Sequence, residues 1–434
     1  MDVAVVGSGI AGLGAAWALS RAHRVTVYEA DERIGGHANT VEITDGGGRV
    51  AVDTGFIVYN EQNYPNLVRL FDHLGVPTEP SDMSFSVSKA GGSFEYQARA
   101  LGLITQPTNL ARPRYRRMIS DIMRFSRLAV PAALERDGES TRDLLDRLGL
   151  SPAFATDFLL PVVACIWSSR LETMLEYPAR WTIGFLDNHG LLNVLRRPRW
   201  RTVSGGSREY LARLAADLVA DVRPRTPVDR ILRSPDGVAV RDRTGDVSEF
   251  DHVVLATHAD TSLAILGGDA DPRECRALSS FRYQDNAAVL HRDPSFMPTR
   301  RRAWSSWNYL AEDRDPDRQD RVSLSYWMNR LQNLRTRRPV FLTLNPAREP
   351  REVEHVVRYS HPQFDASAVA AQERLPSIQG VRRTWYCGSY LGFGFHEDAL
   401  RSGLEVAAAL GAPAPWWRGV AGSTATRVPA TIGA

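Results

Sequence analysis

The sequence predicts an α/β fold: a parallel sheet assembled from three separated chain segments, with an α+β substrate domain inserted between them. Three observations predict it. Residues 2–30 read strand, helix, strand, with apolar runs at 3–6 and 25–29 on either side of an alanine-rich stretch at 11–20. Glycines follow the first run at once, at Gly7, Gly9 and Gly12. Strand-like apolar runs then recur far downstream, at 228–232, 238–241, 253–256 and 384–387.

The 434 residues exceed one small core and call for roughly two domains. The apolar runs place 1–89, 204–275 and 374–412 in the nucleotide domain and 90–203 and 276–373 in the substrate domain. The first insert reads as helical, most clearly at 115–128 and 141–148, and the second is rich in Trp, Tyr and short β-like runs. Residues 413–434 are low in complexity and are expected to form a mobile tail.

The glycine turn carries the first chemistry. Gly7 permits a tight turn, Gly9 lets backbone approach a pyrophosphate, and Gly12 lets helix and strand pack closely, with Ile10 and Ala11 opening the helix whose N-terminus attracts phosphate. Glu29 ends the second strand about 20 residues on, where a carboxylate accepts hydrogen bonds from ribose hydroxyls. Strand, turn, helix, strand and acid arrive in order, so the segment reads as a Rossmann-type dinucleotide site.

FAD rather than NAD follows from two further blocks. Arg33, Gly35 and Gly36 offer backbone N–H groups and positive charge for the pyrophosphate. Gly388, Ser389, Gly392, Gly394, His396, Glu397 and Asp398 precede an apolar helix, whose N-terminus can stabilise negative charge on reduced flavin. No recognised covalent attachment motif is present, so FAD is expected to be non-covalent.

Composition narrows the class. Hydrophobic content of 43% and charged content of 24% are those of an ordinary soluble globular protein. No apolar run approaches the roughly 18 to 20 residues of a membrane span, and the N-terminus lacks a signal-peptide layout. Cys165, Cys275 and Cys387 lack paired spacing, which points to a reducing, cytoplasmic setting. No HExxH or CxxC spacing occurs, so no metal is expected. The 50 acidic residues nearly balance the 53 basic ones, which argues against nucleic-acid binding. The basic residues are almost all arginine: Lys89 is the only lysine.

These residues resemble the flavin-containing amine oxidase superfamily, which includes monoamine and polyamine oxidases, protoporphyrinogen oxidase and carotenoid desaturases. The resemblance is carried by residues 3–14, Glu29, Arg33 to Gly36, Asp53-Thr54-Gly55, Val228 with Ile231, Ala256-Thr257 and residues 388–403. It implies that Val228 meets adenine through its backbone and that the last block wraps the flavin. It also places Ala30, His37, Thr54, Gly55, Phe56 and Thr257 among the cofactor contacts.

Tyr283 to Asn286, Leu290 to Asp293, Trp304 to Tyr309 and Thr384 to Tyr390 are similar to a narrower subgroup, the FAD-binding proteins encoded beside, or fused to, cyclopropane-fatty-acid synthase relatives. That likeness implies chemistry on fatty acyl chains, methylated or unsaturated and held in phospholipid, with a methyltransferase as partner. Three positions depart from the broader pattern. His37 stands where arginine usually follows the glycine pair, and Ser389 stands where an acid is usual. The lysine that amine oxidases place near flavin N5 is matched by no motif around Lys89, which speaks against amine oxidation.

Hydride removal needs a C–H bond held over the flavin in a dry pocket. Trp304, Trp307, Tyr309 and Tyr326 are the expected pocket residues, and His291 and His396 the expected bases. Residues 110–128 combine six arginines with apolar residues at helical spacing. Such a helix either contacts an anionic lipid surface, making the protein peripheral at the inner face of the membrane, or packs its apolar face on the core. Three functions stay open. They are dehydrogenation of an acyl chain by hydride transfer to flavin N5, oxidation of an amine or porphyrinogen, and a non-catalytic flavin-bearing accessory subunit of a lipid methyltransferase.

Overall fold

The computed structural model describes residues 1–98, 100–167, 171–192, 198–311 and 323–417. Five strands form the expected parallel sheet: β1 (Asp2–Val6), β2 (Arg24–Tyr28), β3 (Asp221–Arg223), β4 (His252–Leu255) and β5 (Thr384–Tyr386), in the order β3-β2-β1-β4-β5. A parallel sheet is covered on both faces, and its alternating side chains divide accordingly. Val3, Val5 and Val254 face helices α1 (Ile10–Leu19) and α2 (His396–Ala409). Ala4, Val6, Val253 and Leu255 face the antiparallel ribbon Val228–Arg233, Val238–Asp242 and Val247–Phe250. All ten residues of α1 are buried, which explains a helix with no polar side.

A second, mixed sheet has seven strands. In order these are Val353–Gln363, Arg282–His291, Phe341–Leu344, Ser323–Trp327, Trp307–Ala311, Phe85–Lys89 and Phe94–Gln97. Phe85–Lys89 pairs in parallel with Trp307–Ala311, so residues before the expected boundary at 89 belong to this sheet. Conversely, Trp200–Val203, from the first insert, pairs with Tyr59–Asn60 and Thr78–Pro80. Strand partners are tertiary choices that an apolar run does not declare.

The long strand Val353–Gln363 joins the two halves. Its Tyr359 hydroxyl meets Thr54 Oγ1 at 2.8 Å and accepts from Asn39 Nδ2 at 3.1 Å, beside the nucleotide-domain loops. Helix Pro113–Glu135 buries Tyr115, Met118, Phe125 and Ala129 against the core, which decides the fate of its apolar face. Among the described residues no helix is long and apolar enough to cross a membrane. The segment expected to be a mobile tail begins packed: Ala414 is buried and Trp416 stacks on Trp17 at 5.3 Å. Residues 418–434 lie outside the described part.

Candidate active site

The glycine turn leaves β1 with Gly7 at φ +102°, where a Cβ would lie 2.9 Å from the Ala256 carbonyl oxygen. At Gly12 a Cβ would lie 1.9 Å from the Gly7 carbonyl oxygen, so helix and strand are in backbone contact there. Gly9 differs. A Cβ there would meet nothing within 4 Å, and no side chain caps the N-terminus of α1. The turn therefore presents open space at a helix N-terminus that no side chain caps, which suits a phosphate.

Glu29 ends β2 beside this space. Its carboxylate accepts from Ser8 N at 2.9 Å, from the Ser8 hydroxyl, and from Asp31 N at 2.8 Å, while Ala30 next to it is exposed. Thr226 N donates to the Glu29 carbonyl at 2.7 Å, which brings the start of the Val228 strand to the same edge. Gly35 N donates to Ser8 O at 2.9 Å, and a Cβ on Gly36 would come 3.1 Å from Gly9 Cα. Arg33 braces this loop from within, donating to Gly36 O at 2.8 Å and Ala38 O at 3.2 Å. Half-buried Thr257 follows β4 beside Gly7 and hydrogen-bonds Ser262 at 2.8 Å. Gly55 packs so that its Cβ would be 2.1 Å from His37 O, and Phe56 N donates to that same oxygen at 2.7 Å.

The C-terminal block lies on the other flank of α1, with Gly403 of α2 against Ala11. Ser389 O accepts from Gly392 N and Gly394 N, and Gly388 N donates to Ser402 Oγ at 2.9 Å. The acids of this block hold protein groups. Asp398 accepts from Phe393 N and Phe395 N, and Glu397 accepts from Asn66 N, Asn66 Nδ2 and Leu67 N at the start of helix Pro65–Leu74. Burial nevertheless pushes Glu397 up to about 7. His396 stacks on Phe56 at 3.9 Å and shares a 2.8 Å hydrogen bond with the Tyr210 hydroxyl. Desolvation lowers it to about 3, so it is neutral and a weak proton acceptor.

An imidazole cluster borders the same loops. His37 stacks on Tyr359 at 4.9 Å, with the rings of His361 and His258 5.4 and 6.4 Å away. His258 stacks on Tyr283 at 4.3 Å, and the Tyr283 hydroxyl accepts from Ala259 N. Burial is the main cause that lowers His37 and His258 and takes His361 down to about 4. Among the described residues no three or more His, Cys, Asp or Glu side chains are placed to hold a metal ion. The adjacent core is aromatic: Trp167, Trp181 and Phe185 pack with Phe364, Phe393 and Phe395, and Trp167 Nε1 donates to Phe393 O at 3.1 Å.

Several expected site residues lie elsewhere. His291 is fully buried, with Nε2 bonded to Thr343 Oγ1 at 2.7 Å and Nδ1 accepting from Asp293 N at 3.0 Å. In register it faces Val353, eight residues from His361, or roughly 25 Å at strand rise. It is a core histidine rather than a base beside the flavin. Trp304 packs with Met297 and Phe341, apart from Trp307, Tyr309 and Tyr326, which belong to the core between the seven-stranded sheet and its helices. Sequence pattern flagged these aromatics but could not tell a core from a chamber. Lys89 Nζ is held by Asp157 Oδ1 at 3.0 Å and Thr156 O at 2.7 Å. His258 and Tyr359 carried no motif of their own. The one clue was the position of His258 directly after Ala256-Thr257.

The family model for flavin-containing amine oxidoreductases matches residues 10–411. The chain belongs to this family. Its members are FAD-dependent oxidoreductases. A Mycobacterium tuberculosis protein that carries the name flavin-containing monoamine oxidase AofH is 29% identical over 274 residues, which cover 59% of this chain and 56% of that protein. The match thus spans little more than half the relative's length. A CLA-producing fatty acid isomerase from P. acnes superposes with a TM-score of 0.69 at 17% identity, covering 94% of this chain and 98% of that one. Putrescine oxidase bound to putrescine gives 0.67 at 17%, and cyclohexylamine oxidase from Brevibacterium oxydans IH-35A gives 0.66 at 18%, with the same coverages. At such identities these likenesses establish the fold alone. The residues present fit the family's FAD: the open space at Gly9, the uncapped helix and Glu29 form a cradle that a side chain on Gly9 would fill.

Proposed function

We propose that this family member is an FAD-dependent oxidoreductase that dehydrogenates a fatty acyl chain. The aromatic character of the flavin-side loop carries the reading. Half-buried Phe393 and Phe395 of that loop pack on a buried aromatic core of Trp167, Trp181, Phe185 and Phe364, while Glu397 and Asp398 at the start of α2 are bound to backbone N–H groups. Such a surface suits a hydrocarbon. Lys89, held by Asp157 within the substrate domain, adds that the one lysine is already committed.

FAD, when bound, supplies the hydride acceptor. The chain's own residues bind and orient. The N-terminus of α1 with Gly9 meets the pyrophosphate, Glu29 the ribose, and the α2 N-terminus steadies negative charge. Phe393 and Phe395, backed by this core, would exclude water and bear on one face of the substrate. Incubating the holoenzyme with phospholipid vesicles of unsaturated or methyl-branched acyl chains tests this by mass spectrometry. Acyl product lighter by two hydrogens supports the proposal; unchanged lipid alongside turnover of a primary amine overturns it.

The outward side of helix Pro113–Glu135 supports docking on an anionic lipid surface, the source of such a chain. Exposed Met123 and Leu134 share it with Arg116 and Arg127. Each arginine near such a surface adds about 1 kcal/mol.

A further inference from the structure

A chain of three side chains fixes the tautomer of His361. Ala287 N can only donate, and it donates to Asn345 Oδ1 at 2.9 Å. Asn345 therefore turns its Nδ2 outward, to Asn286 Oδ1 at 2.6 Å. Asn286 Nδ2 then meets the Gln284 carbonyl at 3.1 Å, a group that can only accept, and His361 Nδ1 at 2.8 Å. Both anchors agree, so Nδ1 of His361 is the acceptor and the ring proton sits on Nε2. The backbone of Asn345 is held at φ +47°, a conformation asparagine tolerates better than most residues. Its main-chain N–H also returns to Ala287 O at 2.8 Å, which fixes the relay at its base.

The free end of this relay stands at the cofactor loops. His361 is half-buried, its ring 5.4 Å from His37, whose carbonyl accepts from Phe56 N at 2.7 Å, and Phe56 stacks on His396 at the start of the flavin-side helix. The ring's hydrogen bond to the described residues runs through Nδ1, which leaves Nε2 for another acceptor. A hydrocarbon offers no acceptor for such a donor, whereas the polar edge of a flavin ring carries nitrogens and carbonyl oxygens and gains negative charge on reduction.

We propose that His361, locked as the Nε2–H tautomer by Asn345 and Asn286, donates a hydrogen bond to the ring of the bound flavin and favours its reduced form. The inference rests on the FAD cradle and is independent of which substrate the enzyme oxidises.

Two measurements on the holoenzyme test it. In a 15N-histidine-labelled sample, the His361 signals, assigned by their loss in His361→Gln, should show Nε2 protonated and Nδ1 bare. Asn286→Asp should place a proton on Nδ1. Midpoint potentials of bound FAD should shift negative in His361→Phe, while His361→Gln, which retains an N–H donor, should stay nearer the parent. FAD content and circular dichroism establish that each variant is folded. If His361→Phe does not take up FAD, Asn286→Leu, which releases the tautomer, must show the negative shift instead. A parent signal with the proton on Nδ1, or a potential unmoved in folded, FAD-loaded variants, overturns the proposal.

Discussion

Gly403 lies so close to Ala11 that a Cβ on it would sit 2.1 Å from the Ala11 carbonyl oxygen. The flavin-side helix thus packs, backbone to backbone, on the phosphate-side helix. Gly403→Val should push them apart at a cost of about 1–3 kcal/mol, the usual range for overpacking. Melting temperature and FAD content should fall together, and a variant that melts like the parent would show that the helices have room.

Gly9 and Gly12 should separate binding from folding. Gly9→Val fills open space, so the apoprotein should melt like the parent apoprotein while carrying no flavin. Gly12→Val meets the Gly7 carbonyl at once, and its soluble yield should collapse. Thermal melts and flavin absorbance read both.

The opening unit was legible because β1, the glycine turn, α1 and Glu29 interact within 30 residues, and local sequence specifies local structure. Asn39, Thr54 and Tyr359, by contrast, meet across more than 300 positions, as in the Asn39–Tyr359 separation of 320. No periodicity announces such a junction. His291 misled for a related reason: a polar residue in an apolar strand looks functional until Thr343 and Asp293 are seen to satisfy both ring nitrogens.

Removing the lone lysine should affect stability and spare chemistry. In Lys89→Met, Asp157 keeps Arg114 at 2.8 Å as a partner, so the loss should be about 1–3 kcal/mol, below that of a fully orphaned buried charge. FAD spectrum and kcat should be unchanged. Lost turnover at full FAD content and unaltered melting would instead place Lys89 in the reaction.

Stability should fall on acidification. His396 at about 3 and His361, His291 and His189 at about 4 are depressed below 6.5 in the folded state. Their contribution is complete above pH 6.5 and is lost as pH drops toward 4, since the unfolded chain binds those protons first. Asp53 at about 6, Glu397 at about 7 and the raised Asp187 and Asp398 act in the opposite sense over an overlapping window, but these four acids face seven lowered histidines, since His37, His252 and His258 are depressed as well. Melting temperature of the holoenzyme should therefore decline from pH 7 to 4.5, and His396→Gln should flatten the slope. A rise on acidification would mean that the buried acids dominate.

For lipid docking, the side chains to change are Arg127 and Met123. Arg117 instead pairs with buried Asp121 at 3.2 Å, and reversing it would set two acids together. Arg127→Glu with Met123→Ser should lower retention on anionic vesicles several-fold at unchanged melting temperature. Equal retention of parent and variant in a vesicle flotation assay would remove the helix from any membrane contact.

An acyl chain that delivers hydride to FAD, as proposed, must reduce the flavin. Rapid mixing of oxidised holoenzyme with acyl lipid in the absence of oxygen, followed by flavin absorbance, tests it most directly. Unsaturated or methyl-branched lipid should bleach the oxidised-flavin band, and putrescine or other primary amines should not. Bleaching by amines, with lipid inert, would contradict the proposal.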